Sequence, residues 1–133
     1  MTLAAFNLVA LQENNSAISF KKPWTRTALS GAFGGSVSFA SDALNNAVLK
    51  STGTGFAIVA TKGPDRGNAE VWVDRTRVAT ISLYAPTVTQ AQVVFVREGL
   101  ANATHEVELR VLGTRTAPST GNRVDLDAFI AVR

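Results

Sequence analysis

An aromatic residue between two acids is the feature of this sequence best suited to ligand chemistry. Apolar and polar residues alternate along residues 69–74, AEVWVD. In a strand this alternation sends Val71 and Val73 to one face, and Trp72 with Glu70 to the other. An outward indole beside a carboxylate suits stacking on the apolar face of a sugar, with the acid accepting its hydroxyls. The alternative is that a loop or a neighbouring subunit covers Trp72, because tryptophan is common at interfaces.

The loop KGPDRG, residues 62–67, follows a strand candidate and concentrates glycine, proline and charge. Its glycines permit backbone angles closed to other residues, and its proline fixes one angle. Asp65 is suited to accepting backbone amides, and the planar fork of Arg66 suits a carboxylate or an aromatic ring. Two interpretations follow. Either Arg66 pairs with Asp125 or Asp127 and pins the loop, or Asp65 and Arg66 bind a ligand.

Three further polar residues bear on catalysis. Asp125 and Asp127 alternate on one strand, about 6.5–7 Å apart, a spacing compatible with glycoside hydrolysis. No third acid or positioned base accompanies them, however. His105 is the single histidine, beside Thr104 at a strand start, and is expected to be a turn residue. With no cysteine either, thiolate chemistry is excluded, and we predict no catalytic residue.

Period-two alternation dominates the chain and predicts an all-β fold. Short strands are expected at 18–20, 36–39, 46–50, 56–60, 69–74, 78–83, 92–96, 106–111 and 124–130, separated by turn-forming clusters. In the last strand Leu126 and Ile130 should face inward. Residues 74–77, DRTR, indicate a tight hairpin turn, and a short helix over 85–92 is disfavoured by β-branched residues. The length suits one domain, residues 1–133.

Composition narrows the classes of partner. The formal net charge is only +3 and the thirteen Lys and Arg residues form no run, so nucleic-acid binding is not expected. No stretch approaches the ~20 apolar residues of a transmembrane helix, so no membrane insertion is expected. The N-terminal segment lacks the basic start of a signal peptide. A location outside a cell would then imply a larger secreted parent or release by another route, such as a virion.

An ordered set of motifs carries a resemblance over roughly residues 13–131. The motifs are SF before Trp24, then GTGF, GPDRG, AEVWVD, VATISLY, GL, THEV and GTR, and finally RVDLDAF. The set resembles the galactose-binding-like β-sandwich domains appended to bacterial secreted glycosidases, peptidases and surface proteins, some of which are carbohydrate-binding modules. The resemblance implies an antiparallel two-sheet jelly roll, an accessory non-catalytic role, and Trp24 as a packing residue. It also implies that a structural calcium could be held near the chain ends by Glu13 and Asp127.

Two functional hypotheses remain open from the sequence. The first is a carbohydrate-binding module that uses Trp72, Tyr84, Glu70, Asp65 and Arg66 to bind a glycan or a cell-surface polysaccharide. The second is a structural protein built on the same sandwich, such as a phage decoration or tail component, which contacts other subunits. Both place the chain in an extracellular setting or on a virion surface.

Overall fold

The computed structural model describes residues 8–133, which form twelve strands and one short 3₁₀ turn. The prediction of an all-β fold is therefore confirmed. The strands are β1 (Leu8–Gln12), β2 (Ile18–Lys21), β3 (Thr25–Ala28), β4 (Ser36–Ala40), β5 (Asn46–Gly53), β6 (Gly55–Lys62), β7 (Asn68–Val73), β8 (Thr76–Ser82), β9 (Thr89–Arg97), β10 (Ala103–Val111), β11 (Val124–Leu126) and β12 (Ala128–Val132). The short turn is Phe33–Gly35.

Two antiparallel sheets form the main layers. One has four strands in the order β1-β12-β6-β9, and the other has five in the order β2-β5-β10-β7-β8. A small third sheet, β11-β4-β3, accompanies these two layers. The expected two-sheet sandwich is thus present, with a third sheet that the alternation pattern did not predict.

The core lies between the two main sheets and is built from alternate strand residues. Phe56 and Ile58 enter it from β6, and Val71 and Leu109 enter it from β7 and β10. Each of these side chains is almost completely buried, which stabilises the fold by roughly 1.5–3 kcal/mol per large apolar side chain. The neighbouring residues on each strand therefore point to the two outer faces.

The expected strand over 124–130 is wrong in one respect, because it breaks at Asp127. The Asp127 amide donates to the Val59 carbonyl (2.9 Å), and the Asp127 carbonyl accepts from the Glu13 amide (2.9 Å). The break shifts the alternation by one residue. Phe129 is consequently buried in the core and Ile130 is only half-buried, whereas Ile130 was expected to face inward.

The hairpin between β7 and β8 turns at Asp74 and Arg75, as the sequence indicates. Both residues adopt positive φ, 50° and 66°, which matches a two-residue turn compatible with strand twist. Residues 85–92 contain no helix, and β9 begins at Thr89. Trp24 packs against the core and against Phe20 at 5.3 Å between ring centroids, as expected for a packing residue.

Candidate functional site

The outer face of the five-stranded sheet carries a surface suited to ligand binding. We call it the charged face; it comprises Lys21, Asn46, Val48, Lys50, Glu70, Trp72, Glu106, Glu108 and Arg110. Antiparallel pairing sets these side chains in rows, because directly paired residues point to the same side. Val48, Glu108 and Trp72 form one row across three neighbouring strands.

A groove with a volume of about 350 Å³ runs over β2, β5 and β10 on this face. Val48 and Ser19 lie beneath it, Lys21 and Lys50 flank it, and Glu108 lines its side towards β7. Its size falls within the range of small-molecule sites, and it combines an apolar patch with convergent polar groups.

Glu108 is held rigidly in this groove. Its carboxylate accepts hydrogen bonds from Arg110 Nε (2.6 Å) and Asn46 Nδ2 (2.9 Å). Burial opposes ionisation of Glu108, but these two donors and the positive charges of Arg110 and Lys21 outweigh it and lower the pKa. The residue is therefore a fixed anion and a hydrogen-bond acceptor at neutral pH.

Trp72 points outward beside Glu70, as the alternation predicts, but its ring is only half-exposed. The Arg110 guanidinium lies 4.2 Å from the ring centroid, a cation–π contact. The indole Nε1 donates to Glu70 Oε1 (3.3 Å), and Arg77 donates to the other Glu70 oxygen (3.1 Å). One face of the indole is thus covered by an arginine of the same chain, and Glu70 already has two donors.

The KGPDRG loop is held in place by the buried side chain of Arg66. Arg66 is 4% exposed and donates from Nη2 to Asp125 Oδ2 (3.0 Å) and from Nη1 to Asp65. A second guanidinium, that of Arg123, reaches Asp125 Oδ1 at 2.7 Å while lying over the Phe39 ring. The pairing of Arg66 with Asp125 agrees with the first interpretation of this loop. A ligand role for Arg66 has no support from this geometry.

Tyr84 lies beside the same loop, because it bridges with Gly63. Asp65 is about half-exposed there. Trp72 and Glu70 lie further along β7, on the charged face. The five predicted ligand residues therefore do not form one cluster: Asp65 and Tyr84 lie at the loop end, Arg66 is internal, and only Trp72 and Glu70 adjoin the groove.

Glu13 and Asp127 are neighbours, as the resemblance implies, and both are buried. The two oxygens of Glu13 accept from Arg26 Nε (3.2 Å) and from the hydroxyls of Ser36 (2.6 Å) and Ser38 (2.7 Å). Asp127 Oδ2 accepts from the Phe33 amide (2.8 Å), whereas Asp127 Oδ1 is buried without a partner. Burial, helped by the charges of Glu13 and Asp125 and opposed by the Phe33 hydrogen bond, raises the pKa of Asp127 to about 6.

These contacts decide how well a calcium ion would fit. Calcium takes six to eight oxygens. Asp127 offers one free oxygen, but Arg26 already places a positive charge on Glu13. No group of three acidic or histidine side chains suited to a metal occurs within residues 8–133. The pair as it stands does not fit a calcium site, and the calcium expectation stays a prediction.

His105 was expected in a turn, and that prediction is wrong. It lies in β10, is 9% exposed, and contacts the Phe56 ring edge-on. Nδ1 lies 2.6 Å from Asp74 Oδ2, and Nε2 lies 2.7 Å from the Ala101 carbonyl. The Ala101 carbonyl and the Asp74 carboxylate both favour the protonated ring and raise the His105 pKa. The alternation of His105 with Val107 and Leu109 indicated an inward position in a strand, but nothing in the sequence indicated its contact with Asp74, which lies 31 residues away.

Sequence reasoning also missed the groove residues Lys21, Lys50, Glu106 and Glu108. The signal was present for three of them. The alternation of residues 106–111, EVELRV, sends both glutamates outward, and the pattern of β5 does the same for Lys50. What the pattern could not supply was the strand order that places β5 and β2 beside β10.

The fold has clear counterparts among solved structures, although no known protein family and no curated protein matches the chain. A two-domain esterase active on acetylated mannans, co-crystallised with mannopentaose, gives a TM-score of 0.69 at 16% identity, covering 95% of this chain and 37% of the esterase. A Paenibacillus xanthan lyase gives 0.67 at 12% identity, covering 90% and 12%. The CBM36-1 domain of a multidomain xylanase, from the hindgut metagenome of Trinervitermes trinervoides, gives 0.53 at 12% identity, covering 96% and 97%.

At these identities the likeness shows the fold alone. The predicted β-sandwich, of the type found in carbohydrate-binding modules, is confirmed at that level. The chain spans well under half of the esterase and of the lyase, and nearly all of the CBM36-1 domain. No helix within residues 8–133 is long and apolar enough to cross a membrane.

Proposed function

We propose that this chain is a non-catalytic carbohydrate-binding module whose ligand lies in the groove of the charged face. The observation that carries the proposal is the groove itself. It places an apolar valine beside a fixed carboxylate, Glu108, an amide, Asn46, and two lysines at its flanks. Sugars present hydroxyls around apolar C–H faces, and this mixture of groups complements both.

The comparisons support the same class of ligand. Three of the similar solved structures are named for polysaccharides or their fragments: mannans, xanthan and, through the parent xylanase, xylan. We propose that residues 1–133 form one such domain and work outside a cell or on a virion surface. In this proposal Trp72 and Glu70, on the neighbouring strand β7, border the ligand beside the groove. Asp65 and Tyr84 lie at the end of the sandwich that carries the KGPDRG loop.

The test is a glycan array combined with a matched pair of groove variants. Val48→Tyr adds an aromatic ring to the floor of the groove without changing charge, and aromatic residues are well tolerated in strands. Val93→Tyr makes the same change on the outer face of the other sheet. We expect the wild type and Val93→Tyr to bind the same glycans with similar affinity, and Val48→Tyr to differ from both by at least about tenfold, weaker where the ring fills the groove or tighter where it stacks on the sugar. Equal binding by both variants would remove the groove from the proposal.

The second candidate function, a structural subunit of an assembly, is favoured by one specific observation. The outer face of the four-stranded sheet is apolar; this apolar face comprises Ala10, Ala57, Val93, Val96 and Ile130. Val93 and Val96 are 56% and 57% exposed, and both lie on β9, an edge strand. An exposed apolar edge strand is prone to pair with another chain. Because the face is uncharged and antiparallel self-pairing is symmetric, a second copy of this chain is the occupant we infer.

A further inference from the structure

The charged face holds more positive than negative charge once its internal ion pairs are removed. Arg77 pairs with Glu70 (3.1 Å), Arg110 with Glu108 (2.6 Å) and His105 with Asp74 (2.6 Å). The first two pairs satisfy Glu70 and Glu108 of the charged face, and the third satisfies Asp74 in the adjoining β7–β8 turn. The remaining charged groups of the face decide which ligand it attracts.

Those remaining groups are Lys21 and Lys50 on the positive side and Glu106 on the negative side, with Arg75 as a further positive group in the adjoining β7–β8 turn. None of the four makes an ion pair within residues 8–133. Lys21, Lys50 and Arg75 are exposed, and Glu106 is half-buried. Glu106 lies directly opposite Lys50 in the register of β5 and β10, so the charged face together with the adjoining β7–β8 turn keeps a small surplus of positive charge.

The two lysines occupy opposite ends of the groove. Lys21 pairs in register with Asn46 and lies close enough to Glu108 to lower the pKa of that carboxyl. Lys50 lies four residues beyond Asn46 on β5. At a rise of about 3.3 Å per residue, the two positions are about 13 Å apart along the strand. Val48 lies midway between them. A chain-like ligand lying along β5 would meet a positive charge near each end.

We propose that the groove selects acidic glycans, with Lys21 and Lys50 pairing with carboxylate groups of uronic-acid residues and Glu106 and Glu108 accepting sugar hydroxyls. This inference rests on the proposed function and adds the ligand's chemical class. With a neutral glycan the two ammonium groups would have only acids of the same chain as charged neighbours, Glu108 near Lys21 and Glu106 opposite Lys50, neither in an ion pair with its lysine. A carboxylate adds the attraction of an opposite charge to the hydrogen bond that a neutral hydroxyl would also accept from the ammonium group, so the acidic ligand is preferred.

The experiment uses affinity electrophoresis of the full chain through gels containing uronate polysaccharides. The probes are polygalacturonate, alginate and glucuronoxylan, each run beside its carboxyl-reduced, neutral form. Lys50→Gln and Lys21→Gln test the site. Lys62→Gln, on the other sheet, lowers the net charge equally and controls for general attraction between a basic protein and a polyanion. We expect retention by at least one acidic polymer, loss on carboxyl reduction, and about fivefold weaker binding for each groove variant but not for Lys62→Gln.

The outcomes separate this inference from the proposed function. Equal retention by an acidic polymer and its reduced form would overturn the preference for acidic glycans and leave carbohydrate binding standing. Equal weakening in Lys62→Gln and Lys50→Gln would reduce the effect to overall charge and overturn the inference. Failure to bind any polymer or any glycan of the array would overturn both. Retention that weakens as NaCl rises from ~20 to ~500 mM would support the lysine contacts, because salt screens exposed charges.

Discussion

At the scale of single residues, the Arg66 guanidinium has the clearest energetic consequence. It is buried against Asp125, whose side chain has no exposed surface. Removing one partner of a buried ion pair strands the other charge and costs about 3–5 kcal/mol, although Arg123 still contacts Asp125. We therefore expect Arg66→Ala to lose about 2–3 kcal/mol and to lower Tm by about 5–10 °C in a thermal melt.

Arg115→Ala is the control for Arg66→Ala. Arg115 is exposed and makes one long hydrogen bond to Asn122 (3.3 Å), so its loss should change stability by less than about 0.5 kcal/mol. An Arg66→Ala chain that melts like the wild type but no longer binds glycan would support the ligand interpretation of KGPDRG instead.

Asp127 gives the second prediction at this scale, a stability that depends on pH. Its pKa in the folded state, about 6, lies above the ordinary value of 3.8. The folded state therefore holds this proton more tightly than the unfolded state, and the free energy of unfolding falls as pH rises from about 4 to above 6. We expect the free energy of unfolding of Asp127→Asn, relative to that of the wild type, to rise by about 1–2 kcal/mol between pH 4 and pH 7.5, measured by urea unfolding.

At each pH the free energy of unfolding of the wild type is subtracted from that of Asp127→Asn, because His105 also titrates in both proteins. Asp42→Asn, the same change at an exposed position, is the control variant. Millimolar calcium should leave the Tm of the wild type unchanged, since Arg26 neutralises Glu13. A rise of several degrees with calcium, absent in Asp127→Asn, would show that Arg26 is displaced and a cation binds.

At the scale of elements, His105 joins the β7–β8 turn to the loop before β10. Its two ring nitrogens face the Asp74 carboxylate and the Ala101 carbonyl, so the doubly protonated ring makes both hydrogen bonds. Because its pKa is raised, the stability that it contributes is complete below pH 6.5 and is lost as pH rises through the folded-state pKa. We expect an NMR titration of this single histidine to give a pKa above 6.5.

Asp74→Asn tests the partner of His105 in the same NMR titration. It removes the carboxylate charge but keeps a residue suited to the positive φ of the turn. The His105 pKa should fall and the β7–β8 hairpin should remain folded. An unchanged pKa would mean that the Ala101 carbonyl alone sets the protonation of the ring.

The strands themselves were largely predictable, and the exceptions have physical causes. Alternation identified β7 and β10, whose inner residues are buried and outer residues are not. It failed at Asp127, where the backbone binds Glu13, the residue after β1, and Val59 of β6 instead of continuing one strand. It also failed at β3, TRTA, whose side chains are mostly exposed. A strand with few buried residues lacks the alternation of apolar and polar residues from which a strand is predicted.

At the scale of the whole molecule, the order of the strands explains why the predicted site residues differ from the residues of the observed groove. The outward position of Trp72 followed from its own strand, but the cover provided by Arg110 required β10 to lie beside β7. Likewise, the pairing of Arg66 with Asp125 could be inferred from charge, whereas the partners of His105 could not. Local periodicity predicts the face of the sheet on which a residue lies. Only the sheet topology determines which residues of other strands lie beside it.

The two outer faces of the sandwich differ enough to be tested separately. The apolar face offers Val93 and Val96 on an edge strand, so the assembly hypothesis predicts self-association through β9. We expect light scattering to report a dimer, and the double variant Val93→Lys, Val96→Lys to be monomeric with an unchanged Tm, since lysines on an edge strand block pairing. Glycan binding should survive in that variant, because the groove lies on the other sheet. A monomeric wild type would exclude self-association through this face and leave carbohydrate binding as the one proposed function.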